Sequence, residues 1–244
     1  MTTETPTHGI HGGDLDRNRV QIADHGSDLV TVKVWDLPVR IIHWALFGSV
    51  IVLSVTGFYI GSPFIVQEGG TSGYLMGWVR FIHAVAAWVF ILSVVSRIAW
   101  AFLGNRWARW DQFIPVAKGR RYWGRETFKY YLFLRREPPP AVGHNPLAGL
   151  TYTIVFVMFL VQMLTGLALQ SLASPGGWKA TTAGWLFNFM SLQGVRLLHH
   201  LIMWTTLGFV VHHVFSVILV DMEERSGLLS SMITGYKRLP RERL

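Results

Sequence analysis

Residues 194–220 read GVRLLHHLIMWTTLGFVVHHVFSVILV, an apolar stretch that contains two adjacent histidine pairs. An apolar run of this length is long enough for an α-helix to cross a bilayer. Ionisable side chains are costly inside a membrane and usually serve a function there. The stretch therefore predicts a membrane-spanning helix that carries a functional site.

Helical geometry assigns the four histidines to different faces of this helix. At about 100° per residue, His199 and His213 lie about 40° apart around the axis and about 21 Å apart along it, so they share one face. His200 and His212 point away from that face, and we expect them to make ordinary structural contacts. One face can thus present two imidazoles at two membrane depths, which suits two cofactors stacked across the bilayer.

The composition of the chain also indicates an integral membrane protein. Of the 244 residues, 51% are hydrophobic and 15% are charged, whereas soluble domains carry about 25% charged residues. Cysteine is absent, which excludes disulfides, thiolate metal sites and cysteine-ligated iron–sulfur clusters. The net charge of +8 comes from basic residues that flank the apolar segments, which indicates membrane topology rather than nucleic-acid binding.

Four apolar segments predict an all-α integral membrane protein built as a four-helix bundle. The predicted spans are residues 39–60, 76–103, 147–170 and 194–220. They form one membrane domain, residues 34–221, between a flexible N-terminal tail (1–33) and a basic C-terminal tail (222–244). The loop 104–146 mixes basic residues with Trp and Tyr, which predicts an amphipathic helix on the membrane surface.

The basic residues are distributed unequally between the two ends of the predicted helices. The N-terminal segment through Arg40 holds four, the 104–146 loop nine and the C-terminal tail five, whereas the other two loops contain only Lys179. The positive-inside rule then places both termini and the long loop in the cytoplasm. We therefore expect an up-down-up-down bundle.

A five-residue pattern recurs in three of the four spans. It reads VRIIH at 39–43, VRFIH at 79–83 and VRLLH at 195–199. The first and third spans share a second pattern, Thr56-Gly57 and Thr165-Gly166. Aligning these two spans puts Tyr152 where His43 would be, so we expect the third helix to supply no ligand.

The alternating helix directions pair the histidines by depth. His83 and His199 fall near the outer face, and His43 and His213 fall nearer the cytoplasm. Each pair can supply two axial nitrogens to one haem from facing helices. Haem iron with two imidazole ligands has no open position, so it transfers electrons rather than binding a substrate. A single histidine could also be an interhelical hydrogen-bonding group, but four at paired depths favour two haems.

Four arginines lie near these histidines and are candidate partners for the anionic haem propionates. They are Arg40, Arg80, Arg97 and Arg196. Arg97 lies deep in its span, at the depth of the predicted inner haem. The other three are equally well explained as topology markers whose charged ends reach the membrane surface.

Longer motifs extend these patterns over most of the chain. They are VWDLPVRIIHW, WVRFIHAVAAWVF, SRIAWAFLGNRW, VGHNPLAG and the terminal MITGYKR. Together with the His199 and His213 spacing, they resemble the b-type cytochrome subunit of membrane-bound nickel–iron uptake hydrogenases, a dihaem membrane anchor of the cytochrome b561-like family. The resemblance covers residues 32–238. Cytochrome b subunits of formate dehydrogenases share the bundle but fewer of the motifs.

The resemblance implies an electron-transfer subunit that is not itself catalytic for hydrogen. It implies two b haems, an outer one held by His83 and His199 and an inner one held by His43 and His213. Electrons would pass from the hydrogenase small subunit, which with the large subunit lies on the periplasmic side, to quinone in the bacterial inner membrane. His144 also belongs to the family pattern, and its role is unassigned.

Three other functions stay open from the sequence. The chain could be the cytochrome b subunit of another periplasmic dehydrogenase, such as formate dehydrogenase. It could be a transporter with a histidine relay, although the predicted spans show no broken helix and no intramembrane carboxylate. It could also be a purely structural anchor for a peripheral complex.

Overall fold

The computed structural model describes residues 29–64, 74–105, 107–114, 118–132, 134 and 146–240. In these ranges the helices are α1 (Leu37–Gly61), α2 (Leu75–Leu103), α3 (Lys118–Tyr131), α4 (Pro146–Ser171), α5 (Trp178–Ala183), α6 (Leu192–Glu224) and α7 (Leu228–Thr234). The strands are β1 (Leu29–Lys33) and β2 (Tyr236–Pro240). Short 3-10 turns lie at Trp110–Gln112 and Gly184–Asn188.

Helices α1, α2, α4 and α6 are long and apolar enough to cross a membrane. Large apolar side chains on them point outward, and Val55, Phe81 and Leu92 are 65%, 58% and 62% exposed. A helix that is apolar on all sides suits a lipid environment, because only the hydrocarbon can then cover its outer face. The fold is that of a mainly helical integral membrane protein with four candidate membrane-spanning helices.

Each of the four long helices contains its predicted span and extends slightly beyond it. Helix α1 begins at Leu37, so Pro38 occupies the first turn, where its missing N–H costs no hydrogen bond. Helix α6 continues past residue 220 through the polar segment Asp221–Glu224. The low hydropathy of this segment excludes it from the predicted span. The helix nevertheless continues through it, because backbone hydrogen bonds form irrespective of side-chain hydropathy.

The described chain divides into two compact units, of which the first comprises Ile41–Trp100 and Thr153–His212. Its centre is an apolar cluster that includes side chains of all four long helices. The members are Val50, Phe90, Val94, Val155 and Phe159, with Leu46, Leu53, Phe156, Met163, Phe209 and Val210 against them. The rings of Phe90 and Phe159 meet edge to face, with centroids 5.0 Å apart. This cluster fixes how the helices of the unit pack.

A second apolar cluster in this unit joins α4 and α6 to the segment that connects them. Ala168 and Val195 are fully buried, and they pack with Ala183 of α5 and with Leu186. Small side chains at this contact let neighbouring backbones approach closely, which is how membrane helices gain packing energy. The connection between α4 and α6 is therefore structured and packs against the ends of both helices.

The second unit contains the rest of the described chain. In it, β1 and β2 pair antiparallel, from Leu29 opposite Pro240 to Lys33 opposite Tyr236. The side-chain amide of Asn105 donates to the Val34 carbonyl at 3.0 Å. We call β1 and β2 together the terminal ribbon, because it pairs residues from the two ends of the chain.

The terminal ribbon includes the end of the predicted flexible tail (residues 1–33) and part of the predicted basic tail (residues 222–244). Within the described part, residues 29–33 form a strand and residues 228–234 a helix. The strand is ordered because alternate side chains, Val30 and Val32, are buried and its backbone groups pair with β2. Residues 1–28 lie outside the described part of the chain.

Helix α3 lies in the loop where an amphipathic helix was predicted. Its Arg125 and Lys129 are exposed, and so are the aromatic side chains of Tyr122 and Phe128 on the same helix. Lys129 also forms an ion pair with Glu126 at 2.7 Å. Exposed basic and apolar groups on one short helix are typical of a segment at a membrane surface. His144, in the same loop, lies outside the described residues.

Candidate functional site

His83 lies near the start of α2 and is held by a threonine of α1. Its Nδ1 atom is 2.8 Å from Thr56 Oγ1, and the same hydroxyl oxygen is 2.6 Å from the Val52 carbonyl oxygen. A carbonyl oxygen can only accept, so the single hydroxyl proton of Thr56 is donated to Val52. The hydrogen bond to His83 therefore runs from the imidazole Nδ1–H to the threonine oxygen. This tautomer leaves Nε2 with a lone pair.

His199 of α6 has the same arrangement with α4. Its Nδ1 atom is 2.9 Å from Thr165 Oγ1, which is also 2.9 Å from the Val161 carbonyl oxygen. The imidazole again carries its proton on Nδ1 and has its lone pair on Nε2. The side-chain amide of Gln162 donates to that Nε2 atom at 3.2 Å. The other end of this amide, Oε1, is buried and has no hydrogen-bond partner among the described residues.

A glycine beside each threonine gives the imidazole room against the neighbouring helix. A Cβ atom placed on Gly57 would be 3.5 Å from His83 Cε1, and one placed on Gly166 would be 3.3 Å from His199 Cε1. Both rings therefore lie directly against helix backbone. A side chain on Gly166 would push the ring by a few tenths of an ångström, whereas one on Gly57 would make an ordinary contact.

The residue types at the predicted outer pair fit a haem. His83 and His199 are half-buried, and a Cβ on Gly57 would be 3.5 Å from His83 Cε1 and 3.9 Å from Sδ of Met203, which lies one turn along α6 from His199. Both carry the Nδ1 proton, so both can present Nε2 to one iron, which is the donor set of a bis-histidine haem. His199 Nε2 is 3.2 Å from the Gln162 side-chain amide, so iron bound at this nitrogen would take the place of that contact.

The second member of each histidine pair is placed differently. His200 is exposed, and its ring lies 3.6 Å from where a Cβ on Gly61 would be. His212 is also exposed, whereas His213 is half-buried. The helical-face argument, which favoured His199 and His213 over their neighbours as ligands, stays a prediction.

The two histidines predicted for the inner level belong to different compact units, so each is described by itself. His43 of α1 lies in the first unit, half-buried, with its ring edge to face against Trp44 at 5.3 Å. His213 of α6 lies in the second, where its Nδ1 is 3.3 Å from the Tyr152 hydroxyl. Tyr152 is thus a contact of a predicted ligand.

The four predicted propionate partners have different surroundings. Arg80 and Arg196 are exposed. Arg97 is 9% exposed and lies in the C-terminal third of α2. Arg40 donates through Nη1 to the Ile233 carbonyl, so part of its hydrogen-bonding capacity is used within the protein. Burial distinguishes Arg97 from the other three arginines.

Sequence reasoning did not identify three of the residues that contact the histidines. It found the repeated Thr-Gly pattern but assigned no role to Thr56 or Thr165, and it did not consider Gln162. The repeat itself was the available signal, because it recurs on the two helices that lack the outer histidines. The rotation of each helix about its axis decides whether its threonine faces a histidine, and the sequence pattern alone does not predict this rotation.

The model of the prokaryotic cytochrome b561 family matches residues 34–235. The probable Ni/Fe-hydrogenase B-type cytochrome subunit of Cupriavidus necator is 38% identical, over 87% of this chain and 89% of the relative. The relative of the same description from Rhodobacter capsulatus is 34% identical, over 88% and 84%. The probable Ni/Fe-hydrogenase 1 B-type cytochrome subunit of Escherichia coli (strain K12) is 32% identical, over 86% and 92%.

Proposed function

Because this chain belongs to the prokaryotic cytochrome b561 family, we propose that it carries electrons from a Ni/Fe hydrogenase to quinone in the bilayer. Its family makes it a membrane cytochrome b, a haem b protein of electron transfer. Relatives named as hydrogenase B-type cytochrome subunits support the choice of partner. Quinone is the proposed acceptor because it is the electron carrier that dissolves in the membrane.

The observation that carries the proposal is the pair of supported imidazoles at the outer level. His83 and His199 each donate Nδ1–H to a threonine, so each can present Nε2 to iron. Haem b, when bound, supplies one-electron redox chemistry. Ligation from both sides leaves no open coordination position, so these residues would hold an electron-transfer centre rather than a substrate site.

We assign the inner haem to His43 and His213 on the sequence, from the depth of each residue in its span. Arg97, buried in the membrane-spanning part of α2, is the proposed partner of an inner propionate. Arg40, Arg80 and Arg196 are proposed to interact with propionates or with lipid headgroups at the two surfaces. Two haems at two depths would let electrons cross the bilayer within one chain.

The proposed orientation places both termini and α3 in the cytoplasm of a bacterial inner membrane. It is supported by the excess of Lys and Arg in these segments. The hydrogenase small and large subunits would then bind on the periplasmic side, next to the outer pair. Hydrogen oxidation would belong to those subunits, and this chain would take up and pass on the electrons.

The test is to purify the chain from membranes and to measure haem content and hydrogen-dependent quinone reduction. We expect about two haems b per chain, one for each histidine pair. His83→Ala and His199→Ala should each remove the outer haem, because an imidazole cannot be replaced by a methyl group as a ligand. Both variants should then fail to reduce quinone with hydrogen.

The matched control is His200→Ala, which removes the exposed histidine next to His199. This variant should retain both haems and quinone reduction. A folded wild-type protein without haem would disprove the proposed function. Quinone reduction that survives in both His83→Ala and His199→Ala would disprove the assignment of the outer ligands.

A further inference from the structure

We propose that Thr56-Gly57 and Thr165-Gly166 are matched positioning pairs that fix the orientation and protonation of the two outer imidazoles and lower the reduction potential of the haem they hold. The inference rests on the proposed function, since it concerns the haem that His83 and His199 would bind. It assigns a role to four residues that touch neither iron nor electron donor.

Each threonine has a single hydroxyl proton, and its neighbours decide where that proton goes. Thr56 Oγ1 lies 2.6 Å from the Val52 carbonyl and 3.3 Å from the Leu53 carbonyl, and both can only accept. Its one proton is therefore committed to the helix backbone, and the remaining polar neighbour, His83 Nδ1, must supply its own. The threonine acts as a pure acceptor that excludes the tautomer with the proton on Nε2.

The hydroxyl proton of Thr165 is committed in the same way. Thr165 Oγ1 lies 2.9 Å from the Val161 carbonyl and 3.0 Å from the Gln162 carbonyl, so its proton is committed to α4. His199 must then donate at 2.9 Å. Two independent helix pairs, α1 with α2 and α4 with α6, thus make the same contact through the same dipeptide. The repetition favours a shared function over two chance core contacts.

The glycine that follows each threonine leaves space for the imidazole ring. Gly57 and Gly166 allow each ring to lie on the backbone of the neighbouring helix, where a Cβ would be 3.5 Å and 3.3 Å from the Cε1 atoms. The threonine fixes one ring nitrogen, and the glycine leaves free the space that the ring occupies beside the neighbouring helix. The direction of the Nε2 lone pair is therefore set before any haem is bound, which reduces the ordering cost of ligation.

The consequence for the haem follows from the chemistry of the ligand. A hydrogen bond accepted from Nδ1–H makes the imidazole a stronger donor at Nε2. Donation of the hydroxyl proton to a carbonyl strengthens the acceptor further, because neighbouring hydrogen bonds polarise each other. A stronger donor stabilises ferric iron more than ferrous iron. Loss of the hydroxyl should therefore raise the reduction potential of the outer haem and weaken its binding.

The experiment uses the full chain purified from membranes, with Thr56→Val and Thr165→Val to delete each hydroxyl at nearly constant volume. We expect the midpoint potential of the outer haem to rise in each variant. We also expect its low-temperature electron paramagnetic resonance g-values to shift and haem affinity to fall about 10-fold or more. The outer haem is identified as the one that disappears in His83→Ala.

Three matched variants separate a hydrogen-bonding role from a structural one. Thr56→Ser and Thr165→Ser keep the hydroxyl and should restore the wild-type potential and g-values. Thr205→Val deletes a hydroxyl that donates to the Leu201 carbonyl at 2.8 Å on the exposed side of α6 and bonds to neither imidazole. This variant should leave the potential unchanged.

Haem content, midpoint potential and g-values of these variants together test the inference. Haem-loaded valine variants with wild-type potentials and g-values would overturn this inference and leave the proposed function intact. Loss of haem from the valine and serine variants alike would also overturn it, because the hydroxyl would then not be the group that matters. A folded wild-type protein that binds no haem would overturn both the inference and the proposed function.

Discussion

At the scale of residues, a histidine can offer only one of its two ring nitrogens to a metal, and the group bonded to the other nitrogen decides which one. Here that group is a threonine whose own proton is already donated to a helix carbonyl, at both His83 and His199. A threonine in a membrane helix can satisfy itself on the preceding turn and still accept one more hydrogen bond. This makes it a suitable partner for an imidazole in a region without water.

The two glycines beside these threonines should differ in their tolerance of a methyl group. Gly166→Ala places a Cβ 3.3 Å from His199 Cε1, so we expect a displaced ring and a cost of about 1–3 kcal/mol to the haem-loaded state. Gly57→Ala makes a 3.5 Å contact and should cost less. Haem content and thermal midpoint of the two variants provide the measurement. Equal behaviour of both, or a larger effect at Gly57, would contradict the steric argument.

The histidines and arginines could be proposed from the sequence because their chemistry is unusual in an apolar segment. His199 and His213 needed only the helical period to be placed on one face. Thr56, Thr165 and Gln162 could not be found in this way, because Thr and Gln in a membrane helix are usually satisfied by backbone or packing. Their role depends on which neighbouring helix they face.

At the scale of elements, the four long helices follow from apolar runs that are long enough to span the hydrocarbon. Their ends were predicted to within a few residues because polar residues begin where the lipid ends. The strands were not predicted. Strand β1 reads LVTVK and β2 reads YKRLP, and neither carries a signal that would pair it with a segment at the other end of the chain. The family resemblance seen in the sequence motifs, by contrast, is confirmed by the match over residues 34–235.

The turn between α7 and β2 depends on one glycine. Gly235 has φ +90°, and a Cβ there would be 2.8 Å from the Trp35 carbonyl oxygen. Gly235→Ala should therefore cost about 1–2 kcal/mol for the left-handed backbone alone, with the clash in addition. Thermal unfolding of the purified protein should show a lower midpoint, and limited proteolysis should show earlier cleavage near the C-terminus.

Gly208→Ala is the control for this substitution. Gly208 lies within α6, and nothing is within 4 Å of the position that its Cβ would take. Alanine is favoured over glycine in a helix by about 0.5–1 kcal/mol, so this variant should unfold at the same temperature or slightly higher. A stability loss as large as that of Gly235→Ala would contradict the claim that the turn specifically requires glycine at position 235.

At the scale of the whole molecule, the α1/α2 and α4/α6 pairs resemble each other in sequence and in contacts. In each pair, one helix carries the Thr-Gly dipeptide and the other carries the histidine that it holds. Two similar halves can therefore supply one ligand each to a shared group near one end of the bundle. The rest of the chain is less symmetric, since α4 has Tyr152 at the position that corresponds to His43.

Topology can be tested by reporters fused to each end of the chain, one active only in the cytoplasm and one active only in the periplasm. The distribution of Lys and Arg leads us to expect cytoplasmic activity at both ends. A reporter inserted between α5 and α6 should give the opposite result. Activity of the two terminal fusions in different compartments would contradict the proposed orientation and the pairing of β1 with β2.

The terminal ribbon constrains how the protein is made. Strands that exchange backbone hydrogen bonds must share one aqueous compartment, so a chain with β1 before its first crossing and β2 after its last must cross the bilayer an even number of times. The ribbon can close only when α6 has been inserted, because β2 is synthesised after it. Closure of the ribbon is thus a late step of biogenesis, and a chain truncated by one helix would have no strand in reach to complete it.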